Sequence, residues 1–329
     1  MRAEPRFPSV GAAAPHYESF YLKAASPEGG RGAWVRYTVH QRPGAEPTAS
    51  LWLTYFDAAA DAPRAGKATV GRGELSAPED GFIAIGPATM GPRRAQGEIA
   101  APTLTASWNL NFAEGAEPLR HLAYDRLYRA RLPRTKFEAP YPATTFDGEL
   151  VLDGERVPVA GWPGMVGHNW GTEHAESWVW IQASGLGGRE GDYVDIAAGR
   201  VKLGPWTTPW VANGRIVLDG EPRRLGGLDR VYGTEVRAEP TGCEFTFPGK
   251  DVSIRGRVGA RKKDFVAWRY ADPKGPEHET LNCSIADLKL TVERPRHRAA
   301  TIELAGAAGY EFGTRGLDHG IPLQPYPDG

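Results

Sequence analysis

The sequence has little cysteine and almost no net charge, and each shortage excludes a class of protein. Two cysteines in 329 residues, Cys243 and Cys283, are too few for a disulfide scaffold. Both lie in strand-like segments, so we expect two buried free thiols. Lys+Arg 39 against Asp+Glu 40 leaves a formal charge of -1, without a basic run. We therefore expect neither nucleic acid nor an anionic membrane surface as a partner.

Long apolar runs and the common catalytic motifs are also missing. No segment approaches the roughly 18 consecutive apolar residues of a transmembrane helix. The first 20 residues lack the apolar core of a secretory signal, which favours a cytoplasmic protein. No GxSxG motif occurs, and no Gly-rich phosphate loop opens a helix. His168 and His174 have neither HxH nor HxxxH spacing, so we expect no metal site and no cofactor.

Alternating short apolar segments dominate what is present. In residues 103–112, Leu104, Ala106, Trp108, Leu110 and Phe112 fall on one face of a strand. The high glycine and proline content, 41 and 28 residues, falls between such segments and indicates turns. Further strands are predicted at 33–40, 50–56, 81–86, 244–247, 250–254, 265–270, 281–292 and 300–305.

The pattern predicts an all-β chain of two consecutive antiparallel barrels with one or two short helices. Closure into barrels removes the exposed edges that so many short strands would otherwise present. The length exceeds that of a usual single core, and we place the boundary at the Gly/Pro-rich stretch, giving domains 1–165 and 166–329. Residues 119–132 are the best helical candidate. Hairpin turns are expected at 153–154, 213–214 and 219–220.

Residues 164–185, GMVGHNWGTEHAESWVWIQASG, concentrate the aromatic and titratable side chains. A period of two puts Trp178, Trp180 and Gln182 on one face of a strand, which we expect to point into a barrel. Two indoles and one amide would make a rigid wall for a flat apolar ligand. The same rings could instead fill the core or seal the contact between domains. Trp268, on the strand 265–270, is a further candidate for the ligand wall.

Three residues are candidates for proton transfer. His168, followed by Asn169 and Trp170, could act as general acid or base, or could pin the domain linker through a backbone hydrogen bond. Glu173 could orient the neighbouring His174 or raise its pKa. Asp195 interrupts an apolar strand, where an acid is costly unless it is paired or used, although it could also face outward.

A family resemblance is carried by these residues. WPGMVGHNWGTEHAESWVWIQASG (162–185), preceded by RLPRTKFEAPYP (131–142) and FDGELVLDGERVPVAG (146–161), resembles the lipocalin-like superfamily of hydroxyneurosporene synthase, AttH-like proteins and tocopherol cyclase. The resemblance covers roughly residues 130–185 and is strongest for an uncharacterised bacterial branch. His168 and Trp170 match its turn, and Trp178, Trp180 and Gln182 match its strand. Gly167 departs from it, because the hydratase-like branch tends to have an acid there.

The resemblance implies two calycin-type barrels and a cavity for an apolar molecule. It also implies acid chemistry on a carbon–carbon double bond, hydration or ring closure, without metal or organic cofactor. We therefore expect a hydratase, cyclase or isomerase of a terpenoid or polyketide-like substrate, with His168, Glu173 and Asp195 handling protons and Asn169 among the binding residues. The alternative is a non-catalytic carrier of an apolar metabolite, which needs the same pocket and no acid.

Overall fold

The chain folds into two large antiparallel sheets that follow one another in the sequence. The computed structural model describes residues 3–113 and 115–327. Residues 16–171 form a 12-stranded sheet, and residues 177–314 form a 10-stranded sheet. Both sheets are curled, which confirms the predicted all-β fold of two consecutive barrel-like units.

The first sheet has the strand order β4-β3-β2-β1-β12-β11-β9-β8-β7-β6-β5, with β10 paired to β11. It curls far enough for β4 to contact β8 and β9. Its strands are β1 His16–Ala25, β2 Arg31–Gln41, β3 Thr48–Asp57, β4 Arg64–Val70, β5 Leu75–Ser76, β6 Ile83–Ile85, β7 Ala88–Gly91, β8 Arg94–Ala101, β9 Leu104–Phe112, β10 Leu119–Arg120, β11 Thr135–Leu152 and β12 Glu155–Gly171.

The second sheet has the order β18-β17-β14-β13-β24-β23-β21-β20-β19, with β22 paired to β23, and β15 and β16 form a separate hairpin. A bridge between Leu225 and Gly249 brings β18 towards the end of β20. The strands are β13 Ser177–Ser184, β14 Tyr193–Arg200, β15 Lys202–Leu203, β16 Trp206–Thr207, β17 Val211–Leu218, β18 Glu221–Gly226, β19 Glu235–Glu239, β20 Gly242–Pro248, β21 Ser253–Gly259, β22 Val266–Asp272, β23 Gly275–Glu293 and β24 Ala300–Thr314.

Helices are short throughout the described residues. The α-helix α1, Asp125–Arg129, is joined by 3-10 turns at Phe7–Ser9, Arg72–Glu74, Leu186–Gly188, Leu228–Gly233 and Lys262–Asp264. The helix predicted over 119–132 is wrong at both ends, because residues 119–120 pair with β11 as a strand and α1 stops at Arg129. None of the described helices has the length and apolarity needed to cross a membrane.

The chain passes from the first sheet to the second between Gly171 and Ser177. The boundary proposed after residue 165 lies inside β12, which continues to Gly171. Turns form at Asp153-Gly154 and Asp219-Gly220 as predicted. The turn predicted at 213–214 is wrong, since Asn213 and Gly214 lie within β17 and pair with β14.

Each sheet encloses an apolar core. In β9 the predicted face is buried, with Leu104, Trp108 and Leu110 at 2% exposure or less. The second core takes the aliphatic residues of β13 and β14, among them Val179 and Ile181. Cys243 and Cys283 are buried free thiols, as predicted, and burial raises the pKa of each to about 12.

The outer faces of the two sheets pack against each other, and we call this interface the seam. Its first side is formed by the outward residues of β1–β3, and its second side by residues of β13, β14 and β22–β24. Indole rings meet across it: the centroids of Trp52 and Trp268 lie 4.9 Å apart, and those of Trp34 and Trp268 lie 6.5 Å apart. Both faces of β1 are therefore covered, which explains its nearly continuous burial.

Candidate functional site in the seam

His168 lies in the wall of the first sheet and points towards that sheet's own core. It is opposite Phe20 in the pairing of β12 with β1. The two rings stack, with centroids 4.1 Å apart, and Trp170 covers the other side at 4.6 Å. The side chain is fully buried.

Both ring nitrogens of His168 are engaged by carboxylates. Nε2 lies 2.7 Å from Glu18 Oε1, and Nδ1 lies 3.2 Å from Glu138 Oε1. Burial alone would lower the pKa of His168, but the hydrogen bonds and charges of Glu138 and Glu18 raise it. Burial acts in the opposite sense on Glu18, where the hydrogen bonds from His16 and His168 prevail and lower the pKa to about 2. The two carboxylates therefore favour the protonated form of His168.

The carboxylate of Glu18 also ties down the start of the chain. It accepts the backbone N–H groups of Arg6 and Phe7 at 2.8 and 2.7 Å, and His16 Nε2 lies 3.1 Å away. The Arg6 guanidinium lies 5.0 Å from the centroid of a Trp170 ring. This geometry favours the structural alternative for His168, with carboxylates as partners where the sequence suggested a backbone group.

The tryptophan face of β13 points into the seam, and the expectation that it points into a barrel is wrong. Val179, Ile181 and Ala183 fill the second core, while Trp180 belongs to a separate buried cluster with residues of the first sheet. The period of two is correct. The aliphatic residues of β13 lie on its inner face. The sequence could not show which face points inward, because both faces are buried.

Trp178 and Trp180 each donate a hydrogen bond to an acid. Trp178 Nε1 donates to Glu311 Oε1 at 2.9 Å, and its ring lies on Gly313, where a Cβ would fall 2.1 Å from a ring carbon. Trp180 Nε1 donates to Asp195 Oδ1 at 2.9 Å. The two tryptophans therefore line a wall that contains carboxylates.

Asp195 forms the first polar centre of the seam. It is fully buried, its Oδ1 lies 3.1 Å from His121 Nε2, and its Oδ2 has no hydrogen-bond partner among the described residues. Gln182 is opposite Asp195 in the strand register, and its Oε1 also lacks a partner within the described chain. Lys23 lies on the facing strand, donates Nζ–H to the Ala307 carbonyl at 2.5 Å and has its pKa lowered to about 7 by burial.

His174 and Asp272 form the second polar centre. His174 Nδ1 lies 2.7 Å from Asp272 Oδ1, which also accepts the His174 backbone N–H at 2.7 Å. The ring is stacked on Tyr17, with centroids 4.1 Å apart, and on Trp178 at 5.4 Å. Its Nε2 is buried without a hydrogen-bond partner among the described residues. A histidine held at Nδ1 by an acid, with Nε2 unpartnered, is the arrangement of a general acid–base group.

His278 and Arg315 complete this centre. His278 Nδ1 and Arg315 Nη2 lie 3.8 and 3.1 Å from Asp272 Oδ2. Burial and the neighbouring His174 lower the pKa of His278 to about 3, so this ring is neutral. Burial would raise the pKa of Asp272, but the hydrogen bonds and charge of His174 lower it. Asp272 is thus a fixed anion.

The same three residues could also be considered for a metal ion. Donor atoms of His174, Asp272 and His278 all lie within 4.8 Å of one another. However, both carboxylate oxygens of Asp272 already face hydrogen-bond donors, His174 on one side and the Arg315 guanidinium on the other. This arrangement favours a hydrogen-bonded pair of His174 and Asp272, which we call the dyad, over metal coordination.

A small cavity of about 20 Å³ lies beside the dyad, within the seam. Its walls combine rings, one cation and polar groups: Tyr17, Glu18, Arg36, Thr38, Val39, His40, Trp52, His174, Tyr270 and Ala271. This volume holds about one water molecule, so a larger ligand requires the seam to open.

The remaining predicted site residues are dispersed. Glu173 is a surface residue that pairs with Arg134, with side-chain exposures of 40% and 55%. The side-chain oxygen of Asn169 is buried without a partner among the described residues. Trp170 covers His168 in the first sheet, whereas Trp268 is in the seam between Trp34 and Trp52.

Several seam residues were missed by sequence reasoning, chiefly Asp272, His278, Arg315, His121 and Lys23. They come from distant segments, and their spacing along the chain carries no motif. One signal was available for Lys23, which interrupts the apolar strand β1. Arg36, on the strand β2, is buried as well.

A neighbouring side chain fills the space into which a side chain at position 167 would project. A Cβ there would lie 2.2 Å from a ring carbon of Tyr21. An acid at this position, as the resemblance would suggest, would therefore require the Tyr21 ring to shift.

Comparison with known proteins gives relatives that match over most of the chain. No protein-family model matches the chain. An uncharacterised protein of Mycobacterium tuberculosis, from strains H37Rv and CDC 1551, is 26% identical over 314 residues, which cover 92% of this chain and 88% of the relative.

Solved structures match the fold over nearly the whole chain. A crystal structure assigned provisionally as an AttH, from Nitrosomonas europaea, has a TM-score of 0.57 and 12% identity over 91% of this chain and 92% of its own. Kievitone hydratase from Nectria haematococca has a TM-score of 0.53 and 8% identity, over 95% of this chain and 93% of its own. This chain has the lipocalin-like fold of the AttH-like proteins. The crystal structure of CghA with Sch210972 has a TM-score of 0.55 and 12% identity, over 91% of this chain and 88% of its own. At these identities, the likeness is one of fold.

Proposed function

We propose that the protein is a cofactor-independent hydratase, cyclase or isomerase whose active site is the seam. Its substrate is an apolar unsaturated small molecule of terpenoid or polyketide-like kind, and its chemistry is general acid–base catalysis. The observation that carries the proposal is the dyad. His174 Nδ1 lies 2.7 Å from Asp272, and Nε2 is unpartnered among the described residues in a ring that lines the cavity.

The dyad supplies a balanced route for proton transfer. Asp272 fixes the proton on Nδ1 and leaves Nε2 of His174 to exchange a proton with the ligand. In hydration, protonated Nε2 gives its proton to one alkene carbon while the oxygen of water bonds to the other. The proton that water loses returns to Nε2. In cyclisation, a second double bond of the ligand replaces water as the nucleophile and forms a carbon–carbon bond. The ring cation that results loses a proton to Nε2, which restores His174.

The aromatic walls suit the charge that such a step creates. Protonation of an unactivated alkene forms a carbocation, and the face of each surrounding ring stabilises a cation by about 0.5–2 kcal/mol. Tyr17 and Trp178 flank His174, and Trp52 and Tyr270 line the cavity. Closing the seam over the ligand would exclude water until the chosen nucleophile adds.

Asp195 is the predicted acid that the same reasoning supports as a second proton-handling group. It is on the seam beside Trp180 and His121, with one unpartnered oxygen among the described residues. The fold shared with kievitone hydratase supports the choice of reaction class, and the substrate is left to experiment.

The test begins with the ligand that co-purifies with the protein. We would extract it, identify it by mass spectrometry and incubate it, with related terpenoids, with wild type and variants. His174→Gln and Asp272→Asn are expected to lower turnover by about 10²–10⁴-fold with a folded chain retained. His319→Gln is the control, because it removes a histidine paired with Glu279 at 3.1 Å outside the cavity.

Two outcomes would contradict the proposal. Equal turnover by His174→Gln would remove the dyad from the mechanism. A ligand that binds wild type and is recovered unchanged under all conditions would favour the carrier alternative.

A further inference from the structure

Arg36 is a buried cation without an acidic partner among the described residues. Only 5% of the residue is exposed, although it lies on the outward face of β2. Its guanidinium donates Nε–H to Ser19 Oγ at 2.6 Å, and no carboxylate of the described residues comes within ion-pair distance of it. Arg315, which is also in the seam, differs because it faces both Asp272 and Glu176.

Aromatic rings surround the guanidinium and account for only part of its stabilisation. Its carbon lies 4.3 Å from the ring centroid of Tyr270, 5.5 Å from Trp52 and 5.8 Å from Trp34. Such contacts stabilise a cation only modestly, whereas burying an unpaired charge carries a larger cost. The site is therefore short of one negative charge.

The space beside Arg36 has the lining of an anion site. Arg36 lines the 20 Å³ cavity together with His40, His174 and Thr38. A planar guanidinium pairs with a carboxylate through two parallel hydrogen bonds. The cavity must widen to hold a carboxylate, and must widen further to hold a diphosphate.

We infer that the ligand of the seam carries a carboxylate that pairs with Arg36. This inference rests on the proposed function and narrows its substrate class to apolar unsaturated acids. With the carboxylate at Arg36, the rest of the ligand extends along the opened seam, and its unsaturated carbons lie beside His174. This placement requires the contact between Tyr270 and Trp52, whose ring centroids lie 5.8 Å apart, to separate. Arg36 is thus a specificity-determining residue that acts before any proton is moved.

Binding of three probes with one apolar chain tests the inference: geranic acid, geraniol and geranyl diphosphate. Isothermal titration of wild type is expected to show geranic acid binding about 10- to 100-fold more tightly than geraniol, as a charge-assisted pair allows. Arg36→Met keeps much of the length of the side chain and removes the charge, so this preference should vanish. Arg36→Lys should restore part of it.

Lys67→Met is the matched control. Lys67 Nζ also lies over the Trp52 ring, 4.0 Å from its centroid, but it donates to the Pro327 carbonyl and does not line the cavity. This variant should keep the preference of wild type. Loss of the preference for geranic acid in both Arg36→Met and Lys67→Met would mean that the aromatic rings, and not Arg36, set this preference.

The other outcomes distinguish failure of this inference from failure of the proposed function. Wild type that fails to bind geranic acid, binds it no better than geraniol, or prefers the diphosphate does not recognise a carboxylate at Arg36. If these results accompany loss of turnover in His174→Gln, the proposed function survives with a different substrate. If acid preference depends on Arg36 but no substrate is turned over, the binding site stands and the enzyme proposal fails.

Discussion

The wall around His168 and the seam around His174 differ in whether their buried polar and charged groups have partners. In the wall, both nitrogens of His168 face carboxylates, and Glu18 also accepts two backbone N–H groups. In the seam, His174 Nε2 and Asp195 Oδ2 have no partner among the described residues, and Arg36 has no acid there. Satisfied networks fix a structure, whereas unpartnered polar groups retain capacity for a ligand. Histidines six positions apart thus have different roles.

Replacing each histidine by leucine should give the largest contrast. His168→Leu removes the buried ring that bridges Glu18 and Glu138, and we expect it to lower the free energy of unfolding by about 3–5 kcal/mol. His174→Leu should cost far less, because Asp272 keeps Arg315 at 3.1 Å. Urea denaturation measures both. Equal losses would mean that His174 contributes to stability as much as His168 does, and the contrast between the two regions would fail.

The pH dependence of stability should have the same sign in the two regions but fall in different pH ranges. The pKa of Glu18 is lowered to about 2, so its contribution is present above the unfolded value near 4.5 and is lost as the pH falls towards 2. The pKa of Lys23 is lowered to about 7, so the unfolded chain binds the proton more tightly and Lys23 favours folding increasingly as the pH rises from about 7 to 10.5.

Difference curves isolate these two effects from the rest of the chain. Subtracting the stability of Glu18→Gln from wild type should give a difference that declines below about pH 4.5. Subtracting that of Lys23→Met should give a difference that rises by at most about 1.4 kcal/mol per pH unit between about pH 7 and 10.5. The subtraction is needed because His168, with its raised pKa, loses its contribution as the pH rises through that value. A flat Lys23 difference would show that the ammonium is solvated in the folded chain.

The smallest effect is expected at Glu173, which is in neither region. Its pair with Arg134 is solvent-exposed, and such pairs contribute roughly 0–1 kcal/mol. Glu173→Ala should leave turnover unchanged and barely move the urea midpoint. A large fall in turnover would restore the catalytic role expected of Glu173 from the sequence, and would imply a ligand path along the surface.

The fold was largely predictable, and the site was only partly so. Alternation in segments such as β9 carries the strand assignments, because one face is solvated. In β13 both faces are buried, so the period located the pair Trp178 and Trp180 without telling which side they face. Asn213-Gly214 has the composition of a turn, but neighbouring strands overrode it.

The dyad depended on tertiary structure. His174 and Asp272 are brought together only when β22 lies against the segment that precedes β13, and no local pattern encodes that meeting. Asp195 was recognisable because an acid inside an apolar strand needs a physical reason. Arg36 offered a weaker signal, since an arginine on a strand is ordinarily solvated.

The strand β1 is shared between the two regions, because its odd-numbered residues face the seam and its even-numbered residues face the first core. Tyr17 stacks on His174, while Phe20 stacks on His168. Sliding or twisting this strand to admit a guest molecule would break the ion network behind it. Entry of a ligand should therefore proceed by a hinge motion that moves the second sheet away from the first, while the first sheet keeps its structure.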